Sequence, residues 1–290
     1  MPLDALCLSG IVHELNTALA GSKIDKIYQP GRDEILLALR TQGGNAKLLL
    51  SANPSPPRPQ LTQLPRENPD TPPMFCMLLR KHLTSGRILE VTQPPLERVV
   101  EFRLEALDEL GDRVERRLML EVISPRANLV LLDGEGRILD CIRRVDSGLS
   151  DGTGSGRLLQ PGMFYRLPPA QSKEDPLHAD RQRLEELLST APDEAQADKW
   201  LLDTFGGLSP LVCRELAQQA GGSTDIRLNV LGPAGRTRLL DQLERLIRSV
   251  KENHFHPTLI YLDGKAKDFT FLPVTQYGGA AKLENWPTFS

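Results

Sequence analysis

The residues of this chain best placed to do chemistry by type and spacing are cations at the end of a short helix. In NPDTPPMFCMLLRKHL, residues 68–83, Arg80, Lys81 and His82 close a run that begins with three prolines. Thr71 can cap that helix with Pro72 at its first position, where a missing N–H costs nothing. At 100° per residue Phe75, Leu78, Leu79 and Leu83 share one stripe, and Arg80 and Lys81 project from the other side around Met77. The same cations also complement the helix's own dipole. His82 falls inside the apolar stripe and reads as a hydrogen-bonded core histidine. In GGLSPLVCREL, residues 206–216, Ser209 can cap a helix whose exposed amides could hold an anion, although a packed bundle has the same sequence needs. His254 and His256 lack further ligands nearby, and Cys7, Cys76, Cys141 and Cys213 lie far apart with no CxxC pair. No metal, no cofactor, no nucleophilic triad and no small-molecule substrate are expected. The thiols read as reduced and mostly buried.

The elements that must position these residues fall into two kinds. Asp4 can cap ALCLSGIVHELNTAL, an apolar-periodic helix that Gly21 would stop. KIDKIYQ, EILLALRT and KLLLSA, separated by PGRD and QGGN turns, predict a β-meander. Eight prolines between Asn53 and Pro73 predict an extended loop excluded from any central strand. RILEVTQ, RVVEFRLEAL, RVERRLMLEVI, ANLVLLD and RILDCIRRV predict five more strands, and SGLSDGTGSG marks the edge of this β-rich unit. From about residue 173 four helical patterns follow, within PLHADRQRLEELLST, DEAQADKWLLDTF, SPLVCRELAQQAG and GPAGRTRLLDQLERLIRSVKENH. TLIYLDG and DFTFLPV then predict two strands that return to the first unit, which would make the helical block an insertion. The fold class expected is therefore α+β, with a β-rich domain over 1–172 completed by strands in 256–290 and a helical domain over 173–255.

At 290 residues and 40% hydrophobic content the chain can bury a sizeable core, which excludes a disordered or collagen-like protein. A net charge of −3 gives no overall attraction to nucleic acid or an anionic membrane, so such a partner must be met by a local patch. Residues 171–205 carry nine acids against four bases and should repel phosphate. No stretch is long and apolar enough to span a membrane and no signal-peptide layout is present, so a cytoplasmic location without a membrane partner is expected.

NPDTPPMFCMLLRKHL, preceded by KIDKIYQPGRDEILLALRTQGGNAKLLLSANP and followed by SGRILEVTQPPLERVVEF, resembles the N-terminal domain of the NFACT family. The match continues through VISPRANLVLLDGEGRILDCIRRV, LLQPGMFYRLPP and GLSPLVCREL, and so spans nearly the whole chain. Bacterial members are the RqcH-type ribosome quality-control proteins, which also carry a fibronectin-binding label. The resemblance implies a first domain similar in fold to the N-terminal domain of formamidopyrimidine-DNA glycosylases, with a helix-hairpin-helix block. It also implies a non-enzymatic factor that binds the large ribosomal subunit holding a stalled peptidyl-tRNA and recruits tRNA, alanyl-tRNA in bacteria, for C-terminal tailing. Family members continue into a coiled coil and a C-terminal RNA-binding domain that these 290 residues lack, so the chain is expected to be a fragment.

By the same resemblance, tRNA binding is carried by an Asp-Arg pair, which aligns here with Glu97 and Arg98, preceded by Pro95-Leu96 where the family has Gly-Leu. A carboxylate beside a guanidinium accepts from base amino groups while the arginine donates to base or phosphate, which suits an unpaired tRNA loop. Glu97 keeps the charge one methylene farther out. Asp4 matches an acidic position linked with tRNA binding, and Arg80, Lys81 and Arg126 are weaker candidates for RNA backbone contacts. Two alternatives stand beside this reading. One is a fibronectin-binding surface adhesin. The other is a glycosylase-like enzyme using the amine of Pro2, against which stand Leu3 in place of an acid and the missing zinc ribbon.

Overall fold

The computed structural model describes residues 3–146 and 157–290; Pro2 and the SGLSDGTGSG run lie outside the described residues. The chain divides into two units, one built on Ile11–Ala170 and the other on Asp4–Gly10 with Gln171–Phe289.

α1 (Ala5–Leu19) begins in the second unit and enters the first at Ile11, where the meander β1 (Lys23–Gly31), β2 (Glu34–Thr41) and β3 (Gly44–Ser51) follows, as the turn signals predict. The proline-rich segment departs from expectation. Arg58–Leu61 forms β4 on β3, at the sheet edge where Pro59 removes no ladder bond that the core needs. The next helix, α2 (Met74–Leu83), starts after Pro73, whose side chain caps nothing, and not at Thr71. A residue before proline is pushed out of the helical region, so Pro72 is held extended by Pro73 and the first turn moves along by two. Phe75, Cys76, Leu79 and Leu83 are buried on its inner face.

β5 (Arg87–Thr92), β6 (Val99–Leu107), β7 (Arg113–Glu121), β8 (Asn128–Asp133) and β9 (Ile138–Cys141) extend the sheet in the order β4-β3-β2-β1-β5-β6-β7-β8-β9, all antiparallel. β6 alternates buried and wetter positions over its length, the signature of one covered face. Val99, Met119, Val130, Leu132, Ile138 and Cys141 share a core cluster with Leu159. β1 and β5 meet only at Lys23↔Arg87, prolonged by Ile24 N–H to the Gly86 carbonyl at 2.8 Å. Gly86 is required there, because a Cβ would sit 2.9 Å from the Leu83 carbonyl oxygen and 3.0 Å from that of Glu105.

Hydrogen bonds between loops show that the sheet folds over at this junction. Ser124 Oγ donates to the Pro54 carbonyl, and Arg143 pairs with Asp33 at 2.8 Å. The β1–β2, β3–β4 and β7–β8 turns, with the segment after β9, are thereby gathered at one end of the unit.

The second unit contains α3 (Arg181–Ser189), α4 (Ala197–Thr204), α5 (Pro210–Gly221) and α6 (Leu228–Lys251), the last kinked where Gly232 takes φ +61 before Pro233. The terminal strands do not complete the first sheet. β10 (Thr258–Leu262), β11 (Lys265–Thr270) and a third strand, β12 (Ala281–Asn285), form their own sheet in the order β11-β10-β12. Ile260 and Val274 pack on Leu211 of α5. The fully buried Glu215 carboxylate of α5 accepts from the Thr275 and Gln276 amides, both at 2.9 Å, and from the Thr275 hydroxyl at 2.6 Å. Residues 256–290 thus belong with the helices, and the helical block is not an insertion, because its own buried apolar and carboxylate groups claim these strands.

Candidate nucleic-acid interface

Glu97 and Arg98 sit half-buried in the loop between β5 and β6. The backbone of that loop is fixed residue by residue. Leu96 holds φ +56, Glu97 N–H donates to the Pro94 carbonyl at 3.0 Å, and Gln93 Nε2 donates to the Glu97 carbonyl at 2.7 Å. Val122 N–H then donates to the Arg98 carbonyl at 2.9 Å, tying this loop to the β7–β8 turn. Burial pushes the Glu97 carboxyl above its ordinary pKa, and the adjacent Arg98 charge partly offsets the shift.

Arg126 is exposed on the β7–β8 turn, next to the loop that carries Glu97 and Arg98. The gathered segments 31–34, 52–58, 92–98, 122–127 and 142–144 hold six arginines against three carboxylates. In a chain of net charge −3, these segments carry a local excess of cations, with Arg144 paired to Asp140 at 3.1 Å just outside them. Its anions are placed with purpose: Asp33 is taken by Arg143, which also donates to the Ala127 carbonyl at 3.1 Å. Just below, Glu121 is 2% exposed and is clasped by both Nη atoms of Arg157, while the Tyr165 hydroxyl donates to it at 2.8 Å. Burial, with Glu121 adding to it, raises the Tyr165 pKa and keeps that phenol a donor. Sequence reading missed Arg143 and Arg157, although the Arg143-Arg144 pair at the end of a strand was an available signal.

Within the same unit, Arg80 and Lys81 lie elsewhere. Arg80 Nε donates to the Ile27 carbonyl at 2.9 Å, and the guanidinium lies 5.9 Å from the Tyr28 ring centroid, so it fastens α2 to β1. Lys81 pairs at 2.6 Å with Glu109 in the β6–β7 turn. That turn is the far end of β6, a strand roughly 26 Å long at about 3.3 Å per residue. The structure therefore brings Glu97, Arg98 and Arg126 together and leaves Lys81 at the opposite end. His82 is half-buried, and burial followed by the Arg116 and Lys81 charges lowers its pKa. In the second unit, Asp4 Oδ1 accepts from Cys7 N–H at 2.7 Å and so caps α1. Ser209 caps α5 through Val212 N–H, and the neighbouring Gly207 carbonyl accepts from Leu6 N–H at 3.4 Å, so this helix start is engaged within its own unit.

A family model described as NFACT N-terminal and middle domains matches residues 4–290. The chain belongs to the NFACT family. Among NFACT relatives, the Rqc2 homolog RqcH of Bacillus subtilis is 37% identical over 283 residues, covering 97% of this chain and 46% of that protein. The RqcH of Streptococcus suis is 36% identical over 218 residues, 75% of this chain and 38% of its own. The chain thus spans less than half the length of these relatives. Among solved structures, a fibrinogen binding protein from Staphylococcus aureus aligns at TM-score 0.80 and 26% identity, over 99% of this chain and 96% of that one. The N-terminal part of the fibronectin/fibrinogen-binding protein of S. suis aligns at TM-score 0.75 and 30% identity, over 94% and 91%. A Lactococcus lactis Fpg (MutM) glycosylase aligns at a TM-score of 0.36 and 14% identity, over 86% of this chain and 79% of that one.

Proposed function

We propose that this chain is the tRNA- and large-subunit-binding portion of a cytoplasmic ribosome quality-control factor. In this reading it meets large subunits that hold a stalled peptidyl-tRNA and recruits tRNA, alanyl-tRNA by the pattern of the family, for C-terminal tailing of the nascent chain. It works by binding and not by catalysis. Glu97 and Arg98 grip unpaired bases of the tRNA, and Arg126 meets its backbone. Asp4 holds the start of α1, Arg80 anchors α2, and Lys81 takes no part.

The observation that carries the reading is the cationic loop end of an otherwise acidic family member, with Glu97, Arg98 and Arg126 on two loops joined by the Val122–Arg98 bond. The test is Glu97→Ala/Arg98→Ala. The double variant is expected to melt like the unaltered chain and to lose most of the tRNA that co-purifies with it; unchanged recovery would overturn the assignment.

A second reading follows from the solved relatives described as fibronectin- or fibrinogen-binding proteins. Fractionation of native cells separates the two. Recovery with 50S-sized particles supports the ribosomal reading, and recovery at the cell surface supports the adhesin.

A further inference from the structure

We infer that Gln93 and Leu96 are positioning residues that preset the β5–β6 loop for RNA, an inference that rests on the tRNA-binding reading of Glu97 and Arg98. The β5–β6 ladder ends at Thr92↔Glu101, so the segment that follows Thr92 is not held by sheet pairing with β5. It is nevertheless fixed at every step. Pro94 and Pro95 lock their own φ. Leu96 holds φ +56, in a region that residues with a Cβ enter only at a cost and that concentrates at functional loops. The Glu97 carbonyl is held by the Gln93 side-chain amide at 2.7 Å, and the Arg98 carbonyl by Val122 N–H at 2.9 Å. Fixing the backbone before the ligand arrives removes the ordering cost from binding. The positive φ also turns the chain immediately before the two recognition side chains, so it sets the direction in which they leave the loop.

The test uses the 290-residue chain and end-labelled, unfractionated bacterial tRNA, with affinity read by fluorescence anisotropy and folding by thermal melting. Gln93→Met keeps the length of the side chain and removes the donor. Leu96→Val disfavours the left-handed conformation, whereas Leu96→Asn tolerates it. Gln93→Met and Leu96→Val are each expected to weaken binding roughly three- to tenfold, the size of one lost hydrogen bond or one unfavourable backbone state. Leu96→Asn is expected to stay within about twofold, since Asn adopts the left-handed region readily. In the Glu97→Ala/Arg98→Ala background, Gln93→Met should have no further effect, which a general loss of structure would not reproduce. Equal losses in both backgrounds overturn the inference, as does loss of binding in the double variant with none in Gln93→Met. Retained binding in the double variant itself would remove the reading of the site, and the inference with it.

Discussion

Asp4 shows how one carboxylate can be both needed and costly. Its Oδ1 accepts from Cys7 N–H at 2.7 Å, while burial, with the Asp268 charge adding a smaller part, raises its pKa from 3.8 to about 6. Between those two values the folded chain keeps a proton that the unfolded chain has released. The folded state then binds more protons, so stability falls as pH rises across this window and is level above it. Asp4→Asn retains an acceptor for the cap and removes the titration. Melting followed from pH 7 down to pH 4.5 should show the unaltered chain gaining stability relative to Asp4→Asn. Parallel profiles would show that the carboxylate is ionised throughout.

The element with the sharpest hold on its surroundings is α5. Glu215 accepts from two backbone amides and the Thr275 hydroxyl, and Gln219 Nε2 donates to it at 2.8 Å from the next turn. Glu215→Ala leaves those buried donors without an acceptor and should cost roughly 3 kcal/mol or more. The loss should appear first in hydrogen exchange of β10 and the Thr275–Gln276 segment. Unchanged protection there would mean that apolar contacts among Leu211, Ile260 and Val274 suffice. The helices and meander strands were legible because 3.6- and 2-residue periodicities are local. β4 and β12 were not, since each is a short edge strand whose existence depends on the neighbour it pairs with. α2 starts two residues past the position that Thr71 signals because the conformational limit that Pro73 sets on Pro72 outweighs Thr71 as a cap.

For the whole molecule, charge segregation decides how RNA would be met. Six arginines and three carboxylates share the loop end, while residues 171–205 carry nine acids and four bases. Affinity for tRNA should therefore fall with salt, each neutralised phosphate contributing roughly 0.7 to 0.9 to the slope of log K against log salt. Arg126→Ala should flatten that slope by about one such contribution and weaken all tRNAs alike. An unchanged slope would remove Arg126 from the interface.

The sequence by itself determined the local order of this protein: where most strands and helices run and which faces are apolar. Only the tertiary structure decided which loops stand together. Arg143 finds Asp33 across 110 residues and Ser124 finds Pro54 across 70, contacts that arise from the sheet folding over at Gly86 and that no local pattern encodes. The pairing of β6 with β7, by contrast, sets the Glu97–Arg98 loop against the β7–β8 turn that carries Arg126, while Lys81 meets Glu109 at the other end of the same hairpin. The tertiary structure also gave the last strands to α5, because a buried carboxylate must find its donors wherever the chain can supply them.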